Sequence, residues 1–153
     1  MTDTVNRSAH AKDTLVRKAN DNFRVATELD SENGRKRYRL GQVSDFPEGH
    51  HEVVVVGARQ IGVFNIKGTL YALPNICPHQ TGPVCEAKVL TGSLTADRES
   101  DFKPQWVYDN EVVVCPWHGL EYHVPTGQCL AYEHIKIRRY KVEVTGDDVI
   151  LRV

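Results

Sequence analysis

The sequence predicts an all-β fold of antiparallel strands, and three observations carry that reading. From Tyr38 onward, apolar residues recur in short alternating runs, the period of a strand with one face turned inward. Turn formers interrupt those runs at hairpin spacing: Phe46-Pro47-Glu48-Gly49, Gly57-Ala58-Arg59, Lys67-Gly68, Pro125-Thr126-Gly127 and Gly146-Asp147-Asp148. The C-terminal stretch alternates through Ile135, Ile137, Tyr140, Val142 and Val144, with a slip at Arg138-Arg139 that reads as a bulge.

Taken in order, residues 1–36 are polar and hold few large apolar side chains. They read as a leader, partly disordered or weakly helical between Ala11 and Glu28, and Ser31-Glu32-Asn33-Gly34 reads as the boundary of a domain spanning 37–153. Strands are expected over Tyr38–Val43, Glu52–Val56, Gln60–Ile66 and Thr69–Leu73, after which Pro74-Asn75 delivers the chain to Cys77. Residues 88–105, polar around Thr95–Asp101, read as an inserted surface loop, with docking to a partner as the functional alternative. Trp106–Tyr108 and Glu111–Val114 read as a hairpin about Asp109-Asn110. Leu120–Val124 follows, and Val149, Leu151 and Val153 close the sheet.

A chain of 153 residues has room for one domain with a sizeable core. Its net charge of −1 offers nothing to nucleic acid or an anionic membrane. Residues 1–39 carry nine Lys/Arg against six Asp/Glu and the remainder ten against fourteen, a mildly basic leader on a mildly acidic body. No apolar run is long enough to span a membrane, and the N-terminus lacks the apolar core of a secretion signal, so the expected location is cytoplasmic. In that compartment four cysteines suggest metal binding before disulfides.

Two short motifs concentrate the chemistry: Cys77-Pro78-His79 and, after an interval of 35 residues, Cys115-Pro116-Trp117-His118. Each supplies one thiolate and one imidazole on a proline-stiffened segment. Zinc modules usually pair Cys with Cys or His with His. A Cys-x-His box followed by a Cys-x-x-His box suits a [2Fe–2S] cluster with two cysteines on one iron and two histidines on the other. Such a site is neutral when oxidised and carries a single negative charge when reduced. Four thiolates would leave two more negative charges, so mixed ligation makes the added electron less costly and raises the potential to roughly −150 to +300 mV.

Cys77-Pro78-His79-Gln80-Thr81-Gly82-Pro83 and Cys115-Pro116-Trp117-His118-Gly119 resemble the two cluster-binding boxes of the Rieske family, and the text from Tyr38 onward is similar to a whole Rieske domain of the soluble ferredoxin kind. The resemblance implies a Rieske-type β-sandwich with a two-loop cluster-binding subdomain. It implies one [2Fe–2S] cluster on Cys77, His79, Cys115 and His118, with Gln80, Gly82, Pro83, Trp117, Gly119 and Tyr122 shaping or tuning the loops. Where high-potential members carry a serine and a tyrosine that donate to the sulfurs, this chain has Leu120 and Tyr122, so the implied potential is low to middle. Where respiratory members bridge the loops by a disulfide, it has Gly82 and Trp117. Cys85 and Cys129 lie elsewhere and read as free, buried thiols.

The implied function is that of a single-electron carrier without a substrate of its own. Its partners would be an NAD(P)H-dependent flavin reductase upstream and an oxygenase or reductase downstream. Two other readings stand beside it: the small subunit of a nitrite-reductase-type enzyme, and a zinc module that binds proteins. A mononuclear iron on Glu121, His123 and His134 is disfavoured, because Glu121 and His123 flank Tyr122 on a strand and are expected to face solvent.

Overall fold

The computed structural model describes residues 23–153. Twelve strands carry it: β1 (Arg24–Val25), β2 (Thr27–Glu32), β3 (Arg35–Gln42), β4 (His51–Val56), β5 (Arg59–Ile66), β6 (Thr69–Pro74), β7 (Thr91–Thr95), β8 (Gln105–Val114), β9 (Glu121–His123), β10 (Gln128–Cys129), β11 (Lys141–Thr145) and β12 (Asp148–Arg152). Among the described residues the other regular elements are two 3-10 turns, Val43–Asp45 and Val84–Glu86. The strands form three sheets ordered β1-β4-β5-β6, β11-β12-β3-β2 and β10-β9-β8-β7. Pairing is antiparallel throughout, except that β1 runs parallel to β4.

The sheet β1-β4-β5-β6 is the middle layer. Successive side chains of a strand point to opposite faces, and here both faces are covered. Val54 and Val56 of β4, Ile61 and Val63 of β5 and Ala72 of β6 share a core with Tyr38, Leu40, Val149 and Leu151 of the outer sheet and with Phe46, which follows the turn Val43–Asp45. Val53, Phe64, Ile66 and Leu73 point the other way. They share a second core with Cys77, Val84, Cys85, Val113, Cys115, Tyr122, Val124, Cys129 and Ile137. The uninterrupted apolar run Val53–Val56 is therefore buried along its whole length.

Turn chemistry sets the registers. Lys67-Gly68 joins β5 to β6 with both residues at positive φ, and the Asn65 side chain locks it by accepting from the Gly68 amide at 3.0 Å and donating to the Phe46 carbonyl at 2.7 Å. Asn33-Gly34 does the same between β2 and β3, at φ 52° and 74°.

Four expectations need correcting here. Ser31–Gly34 is no domain boundary: the chain is strand from Arg24, and the leader assigned to 1–36 reaches at most residue 22. Of the stretch expected to be weakly helical, Ala11–Glu28, residues 11–22 lie outside the described residues, and Arg24–Val25 and Thr27–Glu28 are strand. β2 escaped notice because it is an exposed edge held by charge and not by alternating apolar residues; Lys36 pairs with Glu28 at 3.0 Å and Arg37 with Asp30 at 3.3 Å. The surface loop expected at 88–105 is largely a β-hairpin, with β7 paired to the outer half of β8 and a turn over 96–104. Asp109-Asn110 is likewise no hairpin turn: it sits in a bulge of β8, where Tyr108 and Asn110 take left-handed backbone. The fourth correction is C-terminal. Ile135–Arg139 is not a strand; it crosses beneath β10, with the Ile137 amide donating to the Gly127 carbonyl at 2.8 Å, and regular pairing resumes at Lys141.

Gly127 makes that crossing possible. It holds φ 76°, and a Cβ there would collide with the Ile137 carbonyl oxygen. Gly127→Ala is expected to destabilise the fold by about 2–4 kcal/mol, combining left-handed strain with displacement of the buried Ile137. Chemical denaturation of the two proteins side by side measures it.

Candidate metal centre

The two boxes lie on loops at one end of the middle and third sheets. One loop follows β6 and the other joins β8 to β9. Their histidine spacings differ, yet their backbone frames match. In each, the cysteine amide donates to the carbonyl five residues on: Cys77 to Gly82 at 2.8 Å and Cys115 to Leu120 at 2.9 Å. In each, the cysteine carbonyl accepts from the amide four residues on, Thr81 at 2.8 Å and Gly119 at 2.9 Å. That fourth residue is left-handed in both, with φ 60° at Thr81 and 72° at Gly119. A β-branched residue at positive φ is strained, so the first loop holds locally unfavourable backbone where the second uses glycine.

This frame puts the sulfurs inside and the imidazoles outside. Cys77 and Cys115 are each 1% exposed, whereas His79 and His118 are exposed at the tip. Their rings stand 4.8 Å apart between centroids, at 82° to each other. Burial pushes the Cys115 thiol above its ordinary pKa, opposed by the backbone amides of Trp117 and His118, which point at its sulfur. Among the described residues, no three His, Cys, Asp or Glu side chains converge on a point where a single ion would sit. Two buried thiols and two surface imidazoles, from two equivalent loops, match the donor types that a [2Fe–2S] cluster of mixed ligation needs. The residues fit that group.

The supporting positions divide by contact. Tyr122 is fully buried, and its hydroxyl lies 3.1 Å from Cys77 Sγ. Desolvation holds that hydroxyl protonated by raising its pKa, and the Cys77 sulfur adds to the rise. Gly82 is where the loops touch: a Cβ there would lie 2.9 Å from Trp117 Cγ and 3.0 Å from Cys115 Sγ. The Trp117 ring therefore covers the Gly82 backbone on one side while staying 58% exposed on the other. Gln80 is exposed and Pro83, half-buried, precedes the turn Val84–Glu86.

Cys85 and Cys129 are free and buried, as the sequence suggested. Cys85 packs on the middle sheet at Gly62, where an added Cβ would fall 2.5 Å from its sulfur. Burial drives its thiol pKa well up, which makes it an inert packing group.

Asn75 is a site residue the sequence reading passed over. Buried at 5% exposure, it donates to Gln60 Oε1 at 3.1 Å and Glu86 Oε1 at 2.9 Å, and accepts from the Cys85 amide at 2.8 Å. It thus ties the start of the first loop to its end and to β5. The available signal was a polar residue directly after an apolar strand and two before a ligand candidate. The solvent-facing placement of Glu121 and His123 is corrected. Glu121 accepts from Ser93 Oγ at 2.7 Å, and His123 is clamped between Glu111 at 2.8 Å and Thr126 at 2.9 Å. His134 lies elsewhere, beside Tyr132.

Comparison with known proteins agrees with this geometry. A family model described as the Rieske [2Fe-2S] domain matches residues 36–141. The ferredoxin component of the naphthalene 1,2-dioxygenase/salicylate 5-hydroxylase systems of Ralstonia sp is 26% identical over 112 residues, 72% of this chain and 89% of that one. The ferredoxin component of the alkene monooxygenase system of Xanthobacter autotrophicus is 25% identical, over 71% of this chain and 75% of its own. In fold, the ferredoxin of carbazole 1,9a-dioxygenase from Nocardioides aromaticivorans superposes with a TM-score of 0.56 at 19% identity, covering 82% of this chain and 96% of that one. A chain described as the small subunit of an NADPH nitrite reductase superposes at 0.52 and 18% identity, covering 75% and 96%. With the family model spanning more than two thirds of the chain, the protein belongs to the Rieske [2Fe–2S] domain family, whose members bind one such cluster.

Proposed function

We propose that this chain is a one-electron carrier, the ferredoxin component of an oxygenase system in the cytoplasm, taking electrons from a flavin reductase and handing them to an oxygenase. The observation that carries this reading is the split of the donor set, with buried thiols of Cys77 and Cys115 behind exposed imidazoles of His79 and His118. In this assignment the two cysteines hold one iron and the two histidines the other, and the bound cluster takes up and releases one electron at a time. The curated relatives in oxygenase systems support the class of partner.

The chain's own residues contribute three things. Buried sulfurs keep water from the inner side of the site. The imidazoles lie on the solvent side, and the other exposed residues of their loops, Ile76, Pro78, Gln80, Thr81, Pro116, Trp117 and Gly119, carry no formal charge. Nothing ionic must therefore be stripped of water when a partner closes over the tip. The Tyr122 hydroxyl, held against Cys77 Sγ, donates a hydrogen bond that favours added negative charge on the sulfur. Among the described residues no helix is long and apolar enough to cross a membrane. The two other readings remain separable. A nitrite-reductase-type small subunit would purify in fixed ratio with a large subunit, and a zinc module would be colourless with stoichiometric zinc.

Electron paramagnetic resonance of the dithionite-reduced protein tests the ligand set, because histidine ligation lowers the average g value below that of all-cysteine clusters. The wild-type chain is expected to show the lowered average. His79→Ala and His118→Ala, still folded by circular dichroism, are expected to lose it. An unchanged spectrum in either variant refutes the assignment.

Tyr122→Phe removes one donor worth about 0.5–1.5 kcal/mol. By the one-electron conversion of 59 mV per tenfold, this should lower the midpoint potential by about 20–60 mV with the spectrum otherwise retained. Redox titration reads it, and a potential that stays put or rises contradicts the role given to the hydroxyl.

A further inference from the structure

We propose that Glu121 is a potential-setting residue, whose carboxylate, fixed beside the second loop without a cationic partner, holds down the midpoint potential of the bound cluster. The inference rests on the electron-carrier reading and deepens it. Glu121 lies between two residues that touch the site. Leu120 before it closes the second loop by accepting from the Cys115 amide at 2.9 Å, and Tyr122 after it sets its hydroxyl 3.1 Å from Cys77 Sγ. Glu121 is the first residue of formal charge after that loop. Its backbone is fixed from both sides, paired with Val114 of β8 and accepting from the Leu130 amide at 2.9 Å.

The side chain is fixed as well. Ser93 Oγ donates to Glu121 Oε2 at 2.7 Å, and Ser93 is only 4% exposed. Among the described residues three polar side chains are buried, Asn65, Asn75 and Ser93. Each needs a hydrogen bond to offset its loss of water, and for Ser93 the partner is this carboxylate. A side-chain amide in its place would accept the same bond, so packing calls for an acceptor there and not for a charge.

That charge is also uncompensated. The acidic side chains of β2, β4, β11 and β12 all lie within ion-pairing distance of a lysine or arginine, as does Glu111 of β8. Half-buried Glu121 has no such partner among the described residues. Glu86, which Asn75 holds near the end of the first loop, is exposed and more strongly screened by water. Reduction adds one negative charge to the site, and a fixed carboxylate opposes it. At a separation on the order of 10 Å, with an effective dielectric of about 20 or more, one unit charge lowers the equilibrium constant for reduction about three- to tenfold. Glu121 and Tyr122 thus pull in opposite directions from adjacent positions of one strand.

Redox titration of the full-length, cluster-loaded protein in low-salt buffer tests this, with a series at position 121 that varies charge against size. Glu121→Gln keeps an acceptor for Ser93 and removes the charge. It is expected to raise the equilibrium constant for reduction about three- to tenfold, about 30–60 mV at 59 mV per tenfold. Glu121→Asp should stay with the wild type, and Glu121→Lys should rise beyond Glu121→Gln. The gap between wild type and Glu121→Gln should narrow at high salt. Asp147→Asn, which removes an exposed acid from the far sheet, should change nothing. The proposal is overturned if Glu121→Gln leaves the potential in place or lowers it, if Glu121→Asp departs from wild type as far as Glu121→Gln, or if Asp147→Asn matches the shift. A wild-type chain without the lowered average g value overturns the carrier reading and this one with it. A lowered average g value with a potential indifferent to position 121 overturns this one alone.

Discussion

The middle sheet has to satisfy two cores at once, and the rest of the molecule is arranged around that constraint. A strand covered on both faces cannot use polar residues on alternate positions. β4 and β5 therefore read Val53–Val56 and Ile61–Ile66, interrupted only by Gly62 and Asn65. Both interruptions have a physical reason. Gly62 leaves room for Cys85, so the turn after the first loop rests directly on the sheet. Asn65 satisfies the buried backbone of a neighbouring loop through Phe46 and the Gly68 turn. The second core contains all four cysteines, so the candidate metal centre extends the packing of the middle sheet and is not grafted onto its surface.

Two loops with unequal motifs reach equivalent backbones because the conformation depends on the cysteine and the residue four places on. The position of the histidine is free to vary. Moving histidine from the second to the third place after cysteine changes where its ring points without disturbing either hydrogen bond of the frame. The same frame explains the contact between the loops. With both cysteines turned inward, the loops approach each other closely enough that Gly82 has no space for a side chain.

Much of this was legible in the sequence, and the failures have identifiable causes. The ligand candidates, the buried free thiols and the strands between Tyr38 and Leu73 follow from residue type and period-two alternation, whereas the alternation over Ile135–Arg139 reports burial of Ile137 and not a strand. Asn33-Gly34 carries the strongest short hairpin signal in the chain, but its flank Thr27–Glu32 is entirely exposed and has Leu29 as its one large apolar residue, so no apolar alternation marks it. β7 hid for a related reason. Four small or polar residues around one leucine look like loop unless the pairing with Trp106 is known. Asn75 and the Glu111–His123 clamp depend on contacts across 10 or more residues, beyond any local pattern.

The division between sulfur and imidazole also assigns different electrostatic tasks to the two halves of the site. Residues 76–83 and 115–120 contain no Asp, Glu, Lys or Arg, so no formal charge sits on the loops themselves. In a low-dielectric interior, charge added at the thiolate end is offset by short dipoles: the Trp117 and His118 amides and the Tyr122 hydroxyl. These groups are fixed by burial and need no rearrangement when the charge changes. At the imidazole end water takes that part, because His79 and His118 are exposed. A mobile countercharge near the loops would compete with both. The acidic groups beside the loops are hydrogen-bonded into the fold, Glu86 by Asn75 and Glu121 by Ser93, and Lys67 and Arg24 are paired with Glu111, Glu52 and Asp45. A tip without formal charge over pre-aligned dipoles therefore divides the compensation of added charge between fixed groups of the protein on the buried side and solvent on the exposed side.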